Sequence, residues 1–446
     1  MKKIIFLLSI LFSSTIFAQT NPAITSWLQN TTGITGRHYT TGNSTPIIDA
    51  VQANVQSVKY NNTYSFVSAT GIPAYITGPF QDLNPSLATA QNKIFRIPLN
   101  PTQNTGTATA TTGGNIGVFI NGVALFDYRD GVAWNNATLA LCGGPGNPPC
   151  PGGPMATQAW NRDAIPAERA GFDCAKAHPA MGNYHHHQNP SAFNLDLQVI
   201  SNICDTYPSD GLYVINPLVH SPLLGFTYDG FPIYGAYAFT NTDGTGAITR
   251  MKSSYQLKTN TTRLNGPAVG TQYFNGYFRE DYEYISHPND PTFLDVHNGR
   301  FCVTPEYPNG IYCYFTTVDA NHNSAYPYVV GPTFYGNVAV TTVTTIPAGV
   351  TTYNPSLATN SFENDDFKVV IAPNPAQDFI AIQSKLTEKD LDVMLINELG
   401  QIVTTSKILQ GSTLSIIETD SVYNGIYLLK ISDGIQSSTY KIIIKR

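Results

Sequence analysis

Ile116-Gly117-Val118-Phe119-Ile120-Asn121-Gly122-Val123-Ala124-Leu125-Phe126-Asp127 consists of two short apolar runs divided by Asn-Gly. That dipeptide between apolar runs is the strongest short-range hairpin signal, because both residues accept the positive φ of a tight turn. The stretch therefore predicts two antiparallel strands, over 116–120 and 123–127. Val55-Gln56-Ser57-Val58-Lys59-Tyr60 and Lys93-Ile94-Phe95-Arg96-Ile97 read as further strands. The helical signal is confined to 157–180, where Ala and Arg are enriched. The expected fold is mainly β: a large disulfide-stapled β-rich domain over 19–340, a linker over 341–366 and a small Ig-like β-sandwich over 367–446.

Composition agrees. Charged residues make up 12% of the 446 residues, against roughly 25% in an ordinary soluble domain. The chain instead carries 26 Tyr, 22 Phe, 36 Gly and 30 Pro, residues that favour strands and turns. The net charge of −6 comes without a Lys/Arg cluster, which argues against nucleic acid as a partner, since phosphate binding needs grouped positive charge. Residues 1–18 read as a signal peptide. Lys2 and Lys3 precede an apolar run over 4–12, and Ile16-Phe17-Ala18 precedes Gln19 as a cleavage site. No Cys follows that site. No other apolar stretch is long enough to span a bilayer, so the mature protein is expected to lack a transmembrane segment.

The six cysteines, Cys142, Cys150, Cys174, Cys204, Cys302 and Cys313, lie in the central region. An even count on an export route reads as three disulfides, of which 15 connectivities are possible. Proximity along the chain favours Cys142–Cys150 and Cys302–Cys313, leaving Cys174–Cys204 to bracket a histidine-rich run. No CxxC pair suggests a Cys-based metal site.

That run is Gly182-Asn183-Tyr184-His185-His186-His187-Gln188-Asn189-Pro190. On a strand, His185 and His187 share one face, while Tyr184 and His186 share the other. Residues two apart on a strand are about 6.5–7 Å apart, close enough for two imidazoles to converge on one ion bound at roughly 2 Å. Further ligands must come from elsewhere: His178 and His220 are the histidine candidates. Asp229, Glu280, Asp281, Asp295, His297 and Glu306 are also candidates, and Tyr184, Asp229, Asp295, His297 and Glu306 are expected to border the pocket. Asp229-Gly230 can orient a ligand imidazole, or simply form a turn whose Asp caps its own backbone. Asp295 and His297 can add ligands or pair with one another. Arg300 is expected to anchor a buried carboxylate such as Glu306. Mixed His/carboxylate ligation suits a divalent transition metal, Zn, Cu or Fe. The alternatives are packed histidines bonded to carbonyls and Tyr hydroxyls, a non-catalytic module binding glycans or proteins through its many Tyr rings, and a secreted hydrolase using two carboxylates roughly 5–10 Å apart. No G-x-S-x-G, P-loop or HExxH is present.

Two resemblances accompany these readings. The histidine strand, His220-Ser221-Pro222-Leu223-Leu224-Gly225-Phe226-Thr227-Tyr228-Asp229-Gly230-Phe231-Pro232-Ile233-Tyr234-Gly235, Glu280-Asp281-Tyr282-Glu283-Tyr284, Leu294-Asp295-Val296-His297-Asn298-Gly299-Arg300, Thr304-Pro305-Glu306-Tyr307-Pro308 and Tyr326-Pro327-Tyr328 resemble the YHYH-domain family over roughly 90–340. This chain reads Tyr-His-His-His where the family name has Tyr-His-Tyr-His, so the departure falls on His186. The resemblance implies a fold grouping and no reaction. The end of the chain carries Ala372-Pro373-Asn374-Pro375-Ala376, Asn397-Glu398-Leu399-Gly400, Asn424-Gly425-Ile426-Tyr427-Leu428-Leu429-Lys430 and Lys441-Ile442-Ile443-Ile444-Lys445-Arg446. It resembles the type A C-terminal sorting domain of the type IX secretion system of Bacteroidetes. That implies Sec export, then type IX secretion, with the secretion machinery as partner and the cell surface or the medium as destination.

Overall fold

The computed structural model describes residues 21–81, 87–144, 146–152, 158–191, 202–209, 211–259, 261–339, 341–355, 369–384, 387, 389–397, 400–434 and 437–445. The expected signal peptide over 1–18 lies outside them, as do Glu398, Leu399 and Arg446. The chain divides into two compact units, Met1–Tyr353 and Asn354–Arg446. Among the described residues, no helix is long and apolar enough to cross a membrane.

The Asn-Gly stretch forms the hairpin its sequence predicts, with strands Asn115–Phe119 and Ala124–Phe126. The Phe119 amide donates to the Val123 carbonyl at 2.9 Å, and the Val123 amide donates to Asn121 Oδ1 at 3.1 Å. Gly122 takes φ +81°, and a Cβ there would stand 2.4 Å from Ala69 Cβ. Glycine is required twice over, by backbone sign and by space.

This hairpin lies inside an eight-stranded mixed sheet. Its order is His178–Ala180, Asn183–His186, Ala124–Phe126, Asn115–Phe119, Leu223–Thr227, Pro232–Tyr234, Ile311–Phe315 and Gly299–Cys302. Two of its pairings are parallel: Asn183–His186 with Ala124–Phe126, and Pro232–Tyr234 with Ile311–Phe315. Both faces of the sheet are covered. Val118 joins one core with Val55, Val58, Phe95 and Phe226, while Phe119 joins another with Leu125, Phe172 and Ile233. Burial on both faces explains why the hairpin reads as nearly unbroken apolar sequence.

A five-stranded antiparallel sheet has the order Thr342–Val343, Lys93–Pro98, Tyr64–Ala69, Val55–Tyr60 and Thr351–Tyr353. Its two outer strands correct the expected linker. Residues 341–353 are Thr-rich and polar, yet they close both edges of this sheet, where one side chain in two faces solvent and apolar content is not needed. Helix over 157–180 reduces, among the described residues, to Ala164–Glu168, capped by the Asp163 carboxylate on the Ile165 amide.

Cys142–Cys150 and Cys174–Cys204 are bonded, with Cα separations of 4.8 and 5.5 Å. The expected third bond, Cys302–Cys313, is not formed, and both residues are buried thiols. Cys302 stands opposite Ile311, and Cys313 opposite Arg300, so the two sulfurs meet on a diagonal between strands rather than face to face.

Among its described residues, the C-terminal unit has seven strands in two sheets. Val370–Ala372, Phe379–Gln383 and Leu414–Glu418 form one, and Ile402–Ile408, Leu391–Ile396, Gly425–Ser432 and Ser437–Ile444 the other. Ile380, Ile382, Val393, Leu395, Leu429, Ile431, Ile442 and Ile444 fill its core. Their every-second-residue spacing is that of strands with one buried face.

Candidate metal centre

The strand Asn183–His186 sits between an antiparallel and a parallel neighbour. His178 lies directly opposite His185 on one side, and Ala124 lies beside His185 on the other. Alternation then divides the histidine run as its spacing predicts. Tyr184 packs with Val123 and Ala177, and its hydroxyl donates to Asp173 at 2.8 Å. His186 faces the same way: its Nδ1 donates to the Lys176 carbonyl at 3.2 Å, and its Nε2 accepts from the Tyr75 hydroxyl at 2.8 Å. Burial pushes His186 down to about 3, so the ring is a neutral structural member.

On the opposite face, His178, His185 and His187 bring one ligand atom each to within 4.8 Å of the others. All three residues are buried, at 6%, 1% and 3% exposure. His185 Nδ1 bonds to the Asn183 carbonyl at 2.9 Å, and His187 Nδ1 to the Asp127 carbonyl at 2.5 Å. A carbonyl only accepts, so both Nδ1 atoms carry hydrogen and both Nε2 atoms are left facing inward. Those Nε2 atoms stand 3.1 Å apart. Two neutral imidazoles in this tautomer would oppose lone pairs at that distance, so a positive charge belongs between them. Carbonyl-anchored Nδ1 with convergent Nε2 is how protein frameworks orient histidine ligands to a metal.

Glu168, the last residue of the short helix, completes the arrangement. Its Oε2 lies 3.2 Å from His178 Nε2 and 3.2 Å from His187 Nε2. Bonds of about 2.0–2.1 Å to a tetrahedral ion put neighbouring ligand atoms about 3.3–3.4 Å apart. Three of the six edges of such a tetrahedron, 3.1, 3.2 and 3.2 Å, are close to that value, while the histidine ligand atoms are separated by up to 4.8 Å. Burial alone would raise the Glu168 carboxyl. Bonds and charge from His178 and His187 outweigh it and hold the group well below the usual carboxylate range. Burial pushes His185 well below its usual value, with its histidine neighbours adding to the effect.

Aromatic rings dry the site. Phe126 stacks on His185 at 3.7 Å, and Phe172 meets His178 edge-on at 4.9 Å and lies over His187 at 6.3 Å. Behind Glu168, burial and the Glu168 charge push Asp130 up to about 6 against the pull of its ion pair with Arg162.

The remaining residues singled out by sequence are not brought to this point. His220 packs against Tyr234 and Phe239, its Nδ1 on the Ser221 carbonyl, because its strand neighbours lie across the sheet from the histidine strand. Asp229 takes the turn role. Its oxygens accept from Thr227, the Phe231 and Gly336 amides and Tyr314. Asp295 and His297 sit in a turn rather than on a strand. The Asp295 carboxylate caps the His297 and Gly299 amides, while His297 Nδ1 bonds at Thr333. Glu306 accepts from Tyr234. It is not held by Arg300, whose guanidinium donates to the carbonyls of Phe239, Thr240 and Pro291. Glu280 pairs with Arg279, and Asp281 is clamped by Arg263. Glu168 was missed by sequence reading. A lone Glu in an Ala/Arg-rich stretch has no spacing signature, and only the fold brings it under the histidines.

Residues 94–327 match the family described as YHYH protein, and residues 370–445 match the Secretion system C-terminal sorting domain. No functionally curated protein matches the chain. One similar solved structure is PorZ, described as an essential bacterial surface component of the type-IX secretion system of human oral-microbiomic Porphyromonas gingivalis. It is 11% identical, with 91% of this chain and 53% of that one covered, at a TM-score of 0.15. This chain spans about half the length of PorZ, and at that TM-score the likeness bears on neither fold nor function. The C-terminal domain directs the protein through type IX secretion to the outside of the cell. The chain belongs to the YHYH protein family and ends in a type IX secretion sorting domain.

Proposed function

We propose that the exported protein binds one divalent transition metal through His178, His185 and His187, with the Glu168 carboxylate as the fourth ligand. The observation that carries this reading is the pair of inward-facing Nε2 atoms 3.1 Å apart, each on a ring whose Nδ1 is tied to a carbonyl. Three imidazoles and one carboxylate suit Zn, Cu or Fe. A four-ligand set in a dry aromatic pocket fits an ion held for stability better than one holding a labile water. The test is the metal content of protein purified without a polyhistidine tag from an oxidising compartment and dialysed. We expect near-stoichiometric metal in the wild type, and loss of it in His185→Ala/His187→Ala. Wild type that is folded and metal-free would sink the proposal.

A second reading rests on the same contacts: a proton on His187 Nε2, shared with Glu168 and His185, would supply the positive charge without metal. The dialysis experiment separates the two. The hydrolase alternative draws no support from Asp229, Asp295 or Glu306, whose oxygens are taken up by backbone amides and Tyr hydroxyls.

A further inference from the structure

We propose that the Cys174–Cys204 disulfide positions the metal centre, so that the chain takes up its ion only after this bond has formed. The inference rests on the metal reading above and concerns when the site exists.

The segment 172–178 supplies two parts of the site, the Phe172 ring and the His178 ligand. It belongs to no long helix or strand: its described backbone is turn until His178 begins a three-residue strand. Its order comes from cross-links. Asp173 Oδ1 accepts from the Ala175 and Ala177 amides at 3.0 and 3.2 Å. Asp173 Oδ2 accepts from the Gly78 amide at 2.9 Å and the Tyr184 hydroxyl at 2.8 Å. Between them, Cys174 reaches across the core to Cys204 on the 3-10 turn Asn202–Asp205. Cys174 is 1% exposed and shares its cluster with Phe172. The bond therefore sits four residues from one ligand and two from the ring that packs on two ligands.

His185 and His187 have a different support. His185 is held by the histidine strand and its parallel partner, and His187, just past the strand, by its Nδ1 on the Asp127 carbonyl. A reduced chain keeps this His-x-His pair but places His178 and Phe172 through the Asp173 bonds and the short strand pairing alone, without the covalent tie. Three ligands, with the aromatic cover loosened, hold an ion less tightly than four, so the reduced protein would release or fail to acquire it. Bond formation is ordinary thiol–disulfide exchange. The Cys174 thiolate attacks a disulfide of the oxidant, and the Cys204 thiolate then displaces it from the mixed disulfide. The two protons lost by the cysteine thiols end on the oxidant's sulfurs, and it leaves as two thiols. The oxidant is a protein or small-molecule disulfide met on the export route.

The experiment uses the full chain with Zn2+ as probe, in competition with a chromophoric chelator. Wild type, Cys174→Ser/Cys204→Ser and, as control, Cys142→Ser/Cys150→Ser are compared under oxidising conditions. We expect at least about tenfold weaker Zn2+ binding for the first variant, the scale of loss seen when ligand-supporting contacts are removed, and affinity close to wild type for the control. Equal affinity in all three overturns the inference while leaving the metal reading intact. Wild type that does not bind Zn2+ overturns both. Should Cys174→Ser/Cys204→Ser fail to fold by circular dichroism, the zinc-loaded wild type is treated with a phosphine reductant and its thiols are mapped by alkylation. Metal release in step with labelling of Cys174 and Cys204 supports the coupling. Metal retained on chains labelled at both positions overturns it.

Discussion

Asp173 shows how one buried carboxyl can tie a turn and still charge a cost for it. Burial is the main cause pushing its carboxyl up to about 7 from the usual 3.8, against the four hydrogen bonds it accepts. A raised acid binds its proton more tightly in the folded state. The stabilisation it provides is complete below its unfolded value, near 4, and is lost as pH rises through about 7. The melting temperature of wild type minus that of Asp173→Asn should therefore shrink between pH 4 and 7; a difference flat across that window would contradict the assignment. At the proposed metal centre, Glu168→Gln keeps a hydrogen-bonding side chain but removes the charge. We expect zinc affinity to fall by about one to two orders of magnitude, read by chelator competition, with the histidines unaltered. The His185/His187 face was legible in the sequence, because strand alternation fixes which side chains share a side. His178 was legible only as one of several candidates. Glu168 and the failure of His220 were not legible, since which loops come together is decided by sheet order rather than by local pattern.

Among elements, the Asn-Gly hairpin sets the register on which the site depends. Its return strand, Ala124–Phe126, pairs with the histidine strand and delivers Phe126 onto His185 and the Asp127 carbonyl onto His187. Gly122→Ala would place a methyl 2.4 Å from Ala69 Cβ at a φ of +81°. Left-handed strain and overpacking together should cost on the order of 2–4 kcal/mol, measurable as a lower denaturation midpoint, and should weaken metal retention as the register loosens. The hairpin, Val55–Tyr60 and Lys93–Pro98 were legible from alternation and turn chemistry. Thr342–Val343 and Thr351–Tyr353 were not, because polar edge strands and linkers share a composition.

For the whole molecule, two units with separate cores predict two unfolding transitions in calorimetry, only one of which should respond to a chelator. Saturating metal at about 100 times its dissociation constant adds roughly 2.7 kcal/mol to the unit that binds it. A chain ending at Tyr353 should keep that response. One ending at residue 340 loses both outer strands of the five-stranded sheet and should be less stable or aggregate through the bared edges. The division into a central and a C-terminal β unit was legible because motifs at the chain's end announce themselves, and the division after Tyr353 falls inside the expected linker over 341–366. The ring of Phe126, lying flat over His185 at 3.7 Å, has a magnetic consequence. Its circulating π electrons shield the carbon-bound protons of that imidazole and move their resonances upfield, as the Phe293 ring stacked at 3.8 Å does for His287. The displaced lines that vanish in a His185→Ala spectrum would then report, without a label, when the ion enters and when it leaves.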